Sequence, residues 1–129
     1  MIRRLYRRLK KSQHGAALLE FAIVLPVLLL LVMGILEFGW AFNGWITLTG
    51  AAREGARVAV VDANNANVTS AVTSHTTTFT TNPTVNVDRS DEENVTVTVT
   101  GSLPPLVGFF QNNDFVITVD ATMRKEYLN

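Results

Sequence analysis

Apolar and polar residues alternate differently in successive parts of this chain. From Ala16 to Leu36 apolar residues run almost without a break, with Glu20 the one strongly polar residue. About twenty apolar residues match the length of a bilayer-spanning helix. A secretory signal core is shorter, roughly 7–15 residues, so a plain cleaved signal fits poorly. Pro26 interrupts the run, frees the carbonyl of Ala22 and predicts a kink. "EFGWAFNGW" (Glu37 to Trp45) then sets Trp40, Phe42 and Trp45 where an aromatic belt would meet the outer interface, with Gly39 and Gly44 able to loosen the helix.

A second helical pattern follows in "TLTGAAREGARVAVVDANN" (Thr47 to Asn65), with Thr49 as a cap if the helix restarts there. Ala51, Gly55 and Ala59 recur every four residues and form a stripe of small side chains that admits a close neighbour. Arg53 and Arg57 lie on another face, and Glu54 stands three residues before Arg57, a spacing suited to a weak ion pair. A helix running from Ala16 through Val61 would be about 70 Å long. The spacing of Val68, Ala71, Val72 and Phe79 predicts a modest helix over 66–78, with a loop or extended run as the alternative because β-branched Thr disfavours helix.

The rest reads as strands. "TVNVD" (Thr84 to Asp88), the polar turn "RSDEEN" and "VTVTVT" (Val95 to Thr100) form a hairpin pattern with one buried and one wet face. Pro104 and Pro105 break the connection that follows, whose Leu103, Leu106, Val107, Phe109 and Phe110 are too apolar for a free loop. That connection is expected to fold under the sheet, dip toward lipid or meet another subunit. A last strand places Phe115, Ile117, Val119 and Ala121 on one side. The predicted class is α+β: a long N-terminal transmembrane helix continuing outside the membrane and packed on an antiparallel sheet of about three strands. The parts are a basic cytoplasmic leader (1–15), a transmembrane helix (16–43), an extracytoplasmic continuation (44–65) and a small α+β head (66–129).

Charge sharpens this picture. The net charge is zero, yet Arg3, Arg4, Arg7, Arg8, Lys10 and Lys11 all precede the span. The chain after residue 15 holds five Lys/Arg against eleven Asp/Glu. By the positive-inside rule the N-terminus stays in the cytoplasm and the head lies outside. Beside a span, the leader cations are topology signals, and no nucleic-acid partner is expected. With no cysteine, thiolate metal sites and cysteine nucleophiles are excluded. No His/Asp/Glu spacing suggests a metal, Asp91, Glu92 and Glu93 read as a solvated turn, and no catalysis or cofactor is expected.

Glu20 is the residue that asks for an explanation. An acid at a helix centre costs about 2.5–3.5 kcal/mol on insertion scales, and less near an interface. One turn in from Ala16, it either reaches the headgroups or meets a cation that the span does not supply. Cleavage between Gly15 and Ala16 would create one, an α-amino group charged near neutral pH, available to Glu20 of a neighbouring copy. Glu37, seventeen residues on, either marks where the helix meets water or pairs with Arg53 or Arg57 of an adjacent copy.

"GAALLEFAIVLPVLLLLVMGILEFG" followed by "LTGAAREGARVAV" resembles the TadE-like pseudopilins of the Tad/Flp branch of type IV pilus systems. The resemblance covers residues 14–61, and "VITVDATMRKE" near the end has the same flavour. It implies that a prepilin peptidase cuts after Gly15, leaving Ala16 as the mature N-terminus and Glu20 as the pilin-type glutamate. It implies partners in the major Flp-type pilin, sister pseudopilins and the inner-membrane assembly platform, hence residence in a bacterial inner membrane with the head periplasmic. Major pilins of this branch are little more than the hydrophobic helix; the larger outer part here favours a minor or initiating subunit. The alternative is an uncut bitopic protein whose outer domain binds an envelope ligand through the Leu103–Phe110 connection.

Overall fold

A computed structural model describes the backbone of residues 2–76, 80–108 and 113–125, and the side chains of 15–76, 80, 83–108 and 113–125. In chain order it contains α1 (Ile2–Val61), α2 (Asn65–Thr76), β1 (Thr81–Asp88), β2 (Asn94–Leu103) and β3 (Phe115–Arg124). The chain divides into two compact units, Met1–Leu36 and Glu37–Asn129.

The first unit is helix alone. Its Leu, Ile, Val and Phe side chains from Leu18 to Leu36 are exposed, apart from half-buried Leu25. Among the described residues, α1 is the one helix long and apolar enough to cross a membrane, which suggests membrane anchoring. Helix continues through Pro26, which stands inside α1.

In the second unit, α1 presents a face that follows helical spacing: Glu37, Gly44, Leu48, Ala51, Ala52, Gly55, Ala56 and Ala59 are all buried. Small residues dominate because the cover comes close. A Cβ built on Gly55 would lie 2.6 Å from Val72 Cγ2 and 3.2 Å from Val97 Cγ1. The expected stripe of small side chains is therefore covered by α2 and β2 of the same chain. The restart at Thr49 does not occur: α1 is continuous, and Thr47 and Thr49 donate their hydroxyls to the carbonyls of Asn43 and Trp45 four residues back. Gly39 and Gly44 do not break it either.

After Val61 the Asp62 carboxylate accepts the Asn64 N–H, and Asn64 in turn caps α2 by accepting the Ala66 N–H at 3.0 Å. α2 buries Val68, Val72 and Thr76, as the spacing of its apolar residues required. The predicted residues 77–78 of that helix, and Phe79, lie outside the described residues, as do Phe109 and Phe110.

The sheet is antiparallel in the order β1-β2-β3. On β2, Val95, Val97, Val99, Gly101 and Leu103 are buried while the intervening residues are half-exposed. Central β2 carries the core face because it is flanked on both sides, and Val119 of β3 joins it. The opposite face is a threonine surface, with Thr96–Thr122 and Thr100–Thr118 hydroxyl pairs at 2.9 and 3.0 Å. The strand β2 runs three residues beyond the predicted Thr100, so Leu103 ends a strand and the irregular connection begins at Pro104.

Candidate assembly surface

The residues singled out for assembly fall into two sets. Gly15, Ala16 and Glu20 are exposed on the apolar helix, and a Cβ on Gly15 would meet nothing within 4 Å. Glu20 makes no hydrogen bond or ion pair with another described residue. Pro26 is exposed on the same segment.

The second set lies on the part of α1 that belongs to the head. Arg53 is exposed. Arg57 and Glu54 form the predicted pair, with two guanidinium N–H groups donating to the carboxylate at 2.6 and 2.9 Å. With the arginine side chain 69% exposed, solvent screens the pair and it adds little to stability. Arg53 and the Glu54–Arg57 pair thus project from the helix, while α2 and β2 cover the face that carries Gly55.

Glu37 departs from the expectation that it meets water. It is only 4% exposed. Its Oε2 accepts the Val107 N–H at 3.0 Å, whereas Oε1 is buried and lacks a hydrogen-bond partner among the described residues. One turn on, the Trp40 indole N–H donates to the Pro104 carbonyl at 3.0 Å. Trp40, expected only as a belt residue, therefore also fastens the connection after β2. Leu103 fills the notch left by Gly44, where a Cβ would fall 2.8 Å from Leu103 Cδ2. Spacing held a signal for this: Glu37, Trp40, Gly44 and Leu48 continue, turn by turn, the stripe of Ala51, Gly55 and Ala59. Extending the small-residue stripe toward the N-terminus would have put Glu37 on the packed face.

Arg89 was also missed. From the turn after β1 it donates to the Asp62 carbonyl at 3.0 Å and to the Asn65 side chain, tying the hairpin to the α1–α2 joint. The same turn holds Asp91, whose carboxylate accepts the Glu93 N–H and the Asn94 side chain at 2.8 and 2.9 Å. These bonds, the Asn94 side chain first, hold the Asp91 carboxyl below its ordinary range. Asp62 is lowered for the same kind of reason, by the Asn67 side chain and then the Asn64 N–H. Among the described residues no group of three or more His, Cys, Asp or Glu is placed to hold a metal ion.

Residues 15–57 match the model of a family described as TadE-like protein, and the resemblance drawn from the sequence is met there. No curated protein and no solved structure matches this chain. The family match suggests a Tad pilus-associated protein. It begins at the junction of basic leader and apolar run and ends at Arg57, so Gly15, Ala16, Glu20, Pro26, Glu37, Arg53, Glu54 and Arg57 all fall inside it.

Proposed function

We propose, taking the TadE-like segment as the premise, that this chain is a minor pilin or pseudopilin of a Tad-type (Flp) pilus. It is inserted in a bacterial inner membrane, cut by prepilin peptidase after Gly15, and recruited into pilus assembly through its helix. Its role is to bind other subunits, without catalysis. One observation carries the proposal: the family match starts at Gly15, where six cations give way to an apolar run.

Cutting at that bond would remove the basic leader and leave an ammonium at Ala16. Glu20 of an adjoining subunit then supplies the opposite charge in a medium of low dielectric, where such a pair is stronger than in water. Gly15 suits a tight protease cleft, since it brings no side chain to the scissile bond. The exposed apolar side chains of the segment would pack against the helices of the major pilin, sister pseudopilins or assembly-platform proteins. Exposed Arg53, beside the Glu54–Arg57 pair, offers acidic partners a second contact outside the bilayer.

N-terminal sequencing of the protein purified from its native membrane tests the proposal. A chain starting at Ala16 is expected; one starting at Met1 overturns processing and leaves the bitopic envelope protein in its place. Co-purification with sheared fibres then separates a filament subunit from one that stays in the membrane. Glu20→Ala is expected to reduce assembly while leaving cleavage intact, and undiminished assembly would remove the residue from its role.

A further inference from the structure

Residues 104–107, directly after β2, are apolar, largely exposed and fastened at one level of α1. Leu106 and Val107 are 50% and 43% exposed. The two hydrogen bonds already described, Val107 N–H to Glu37 and Trp40 N–H to the Pro104 carbonyl, hold this segment against residues 37–40. Glu37 directly follows Leu36, the last residue of the apolar run. Around it on α1, Phe38, Phe42, Trp45 and Ile46 are exposed as well, Phe38 by 74%.

From these positions we infer that residues 104–107 form a lipid-contacting foot, seated in the headgroup region of the membrane that the apolar helix crosses. The inference rests on the membrane insertion given under the proposed function, with the apolar run 16–36 filling the hydrocarbon and the last turns of the expected 16–43 helix, from Glu37, lying among the headgroups. If that run crosses the bilayer, the chain leaves the hydrocarbon at Glu37, and whatever is hydrogen-bonded to Glu37 and Trp40 is held at the same exit. The backbone suits the place. Backbone polar groups that approach the hydrocarbon need partners within the protein, and several in this segment have them or lack a donor. Pro104 and Pro105 have no N–H, the Val107 N–H is spent on Glu37, and the Pro104 carbonyl is met by Trp40. Gly108, at φ 68°, then turns the chain in a conformation that a side chain would disfavour. Glu37 acts as a positioning residue: its carboxylate fixes where Leu106 and Val107 stand. The head therefore meets the bilayer twice, through the helix and through this foot.

The full chain, which has no cysteine of its own, accepts single-cysteine labelling with an environment-sensitive fluorophore. Leu106→Cys, Asn86→Cys on the outer sheet face and Leu29→Cys in the apolar run are compared in vesicles of phosphatidylethanolamine and phosphatidylglycerol. The expected result is blue-shifted emission at Leu106→Cys, quenched several-fold more than Asn86→Cys by a nitroxide at shallow lipid depth. Leu29→Cys should respond to a deep nitroxide. If Leu29→Cys responds but Leu106→Cys behaves like Asn86→Cys, the foot is overturned and the span survives. A blue shift at Leu106→Cys without lipid quenching would mean that protein covers the segment, and also overturns it. No deep quenching at Leu29→Cys defeats the spanning role and the foot with it. Adding Glu37→Ala to Leu106→Cys should lower the shallow quenching; no change would remove Glu37 from its positioning role.

Discussion

Helix α1 is covered in two different ways along its length. Between Leu18 and Leu36 most of its side chains are large and exposed. From Gly44 to Ala59 the packed face is made of Gly and Ala, with Leu48 the one large residue, and nothing on it reaches solvent. Under the proposed membrane insertion, one secondary structure would serve two solvents. Lipid tails surround a helix without shape, so the first stretch needs bulk and length. A protein neighbour brings its own side chains, so the second needs space. Valines from α2 and β2 fill that space at the usual close packing of interiors.

Large-to-small substitution gives the widest separation between the two stretches. Leu48→Ala should destabilise the head by about 2–5 kcal/mol, read as faster hydrogen exchange of the β2 amides in the full chain. Leu29→Ala should leave those amides unchanged, because nothing in the head rests on it. The reverse change is nearly as strong. Gly55→Leu must displace Val72 and Val97, and should cost about 1–3 kcal/mol or more. Gly39→Leu, with nothing within 4 Å of its Cβ, should be neutral or slightly stabilising. Equal effects at the two glycines would mean that the packed face had been misplaced.

Acid should weaken the head through three aspartates. Asp62, Asp88 and Asp91 are all lowered by hydrogen bonds, from Asn67, Ser90 and Asn94 first in each case. A carboxyl that ionises more easily when folded adds stability above its unfolded value. That contribution fades as pH falls through the folded one. Head stability should therefore hold down to the ordinary aspartate range, about pH 4, and decline below it. Asp62→Asn should flatten the decline in an acid titration followed by circular dichroism. The smallest effect belongs to the exposed pair: Glu54→Gln should leave thermal unfolding of the head nearly unchanged, and any difference should vanish in high salt.

The two stretches also differ in how openly the sequence declared them. The span and β2 were legible because each obeys one rule over many residues: unbroken apolarity, or strict alternation of Val and Thr. The stripe of Ala51, Gly55 and Ala59 was equally legible as spacing, though its cover was not. Val72 and Val97 lie well along the chain, and no local pattern names a partner at that distance. Glu37 failed for the same reason. A lone acid closing a greasy run reads as a boundary with water, and only the folded chain brings the Val107 N–H to it across seventy positions. For Gly15, Ala16 and Glu20 the legible part was composition: six cations, a glycine, then an apolar run holding one acid. Their proposed roles need a protease and a second subunit, which local patterning does not describe.

That the floor of the head is the last third of a continuous helix has a practical corollary. A water-soluble fragment cannot be obtained by trimming at the α1–α2 joint, because starting the chain at Asn65 strips the valines of Leu48 and the alanines beneath them. Any excised version must open inside a helical turn, ahead of Glu37, and supply there the capping groups that the preceding residues now provide.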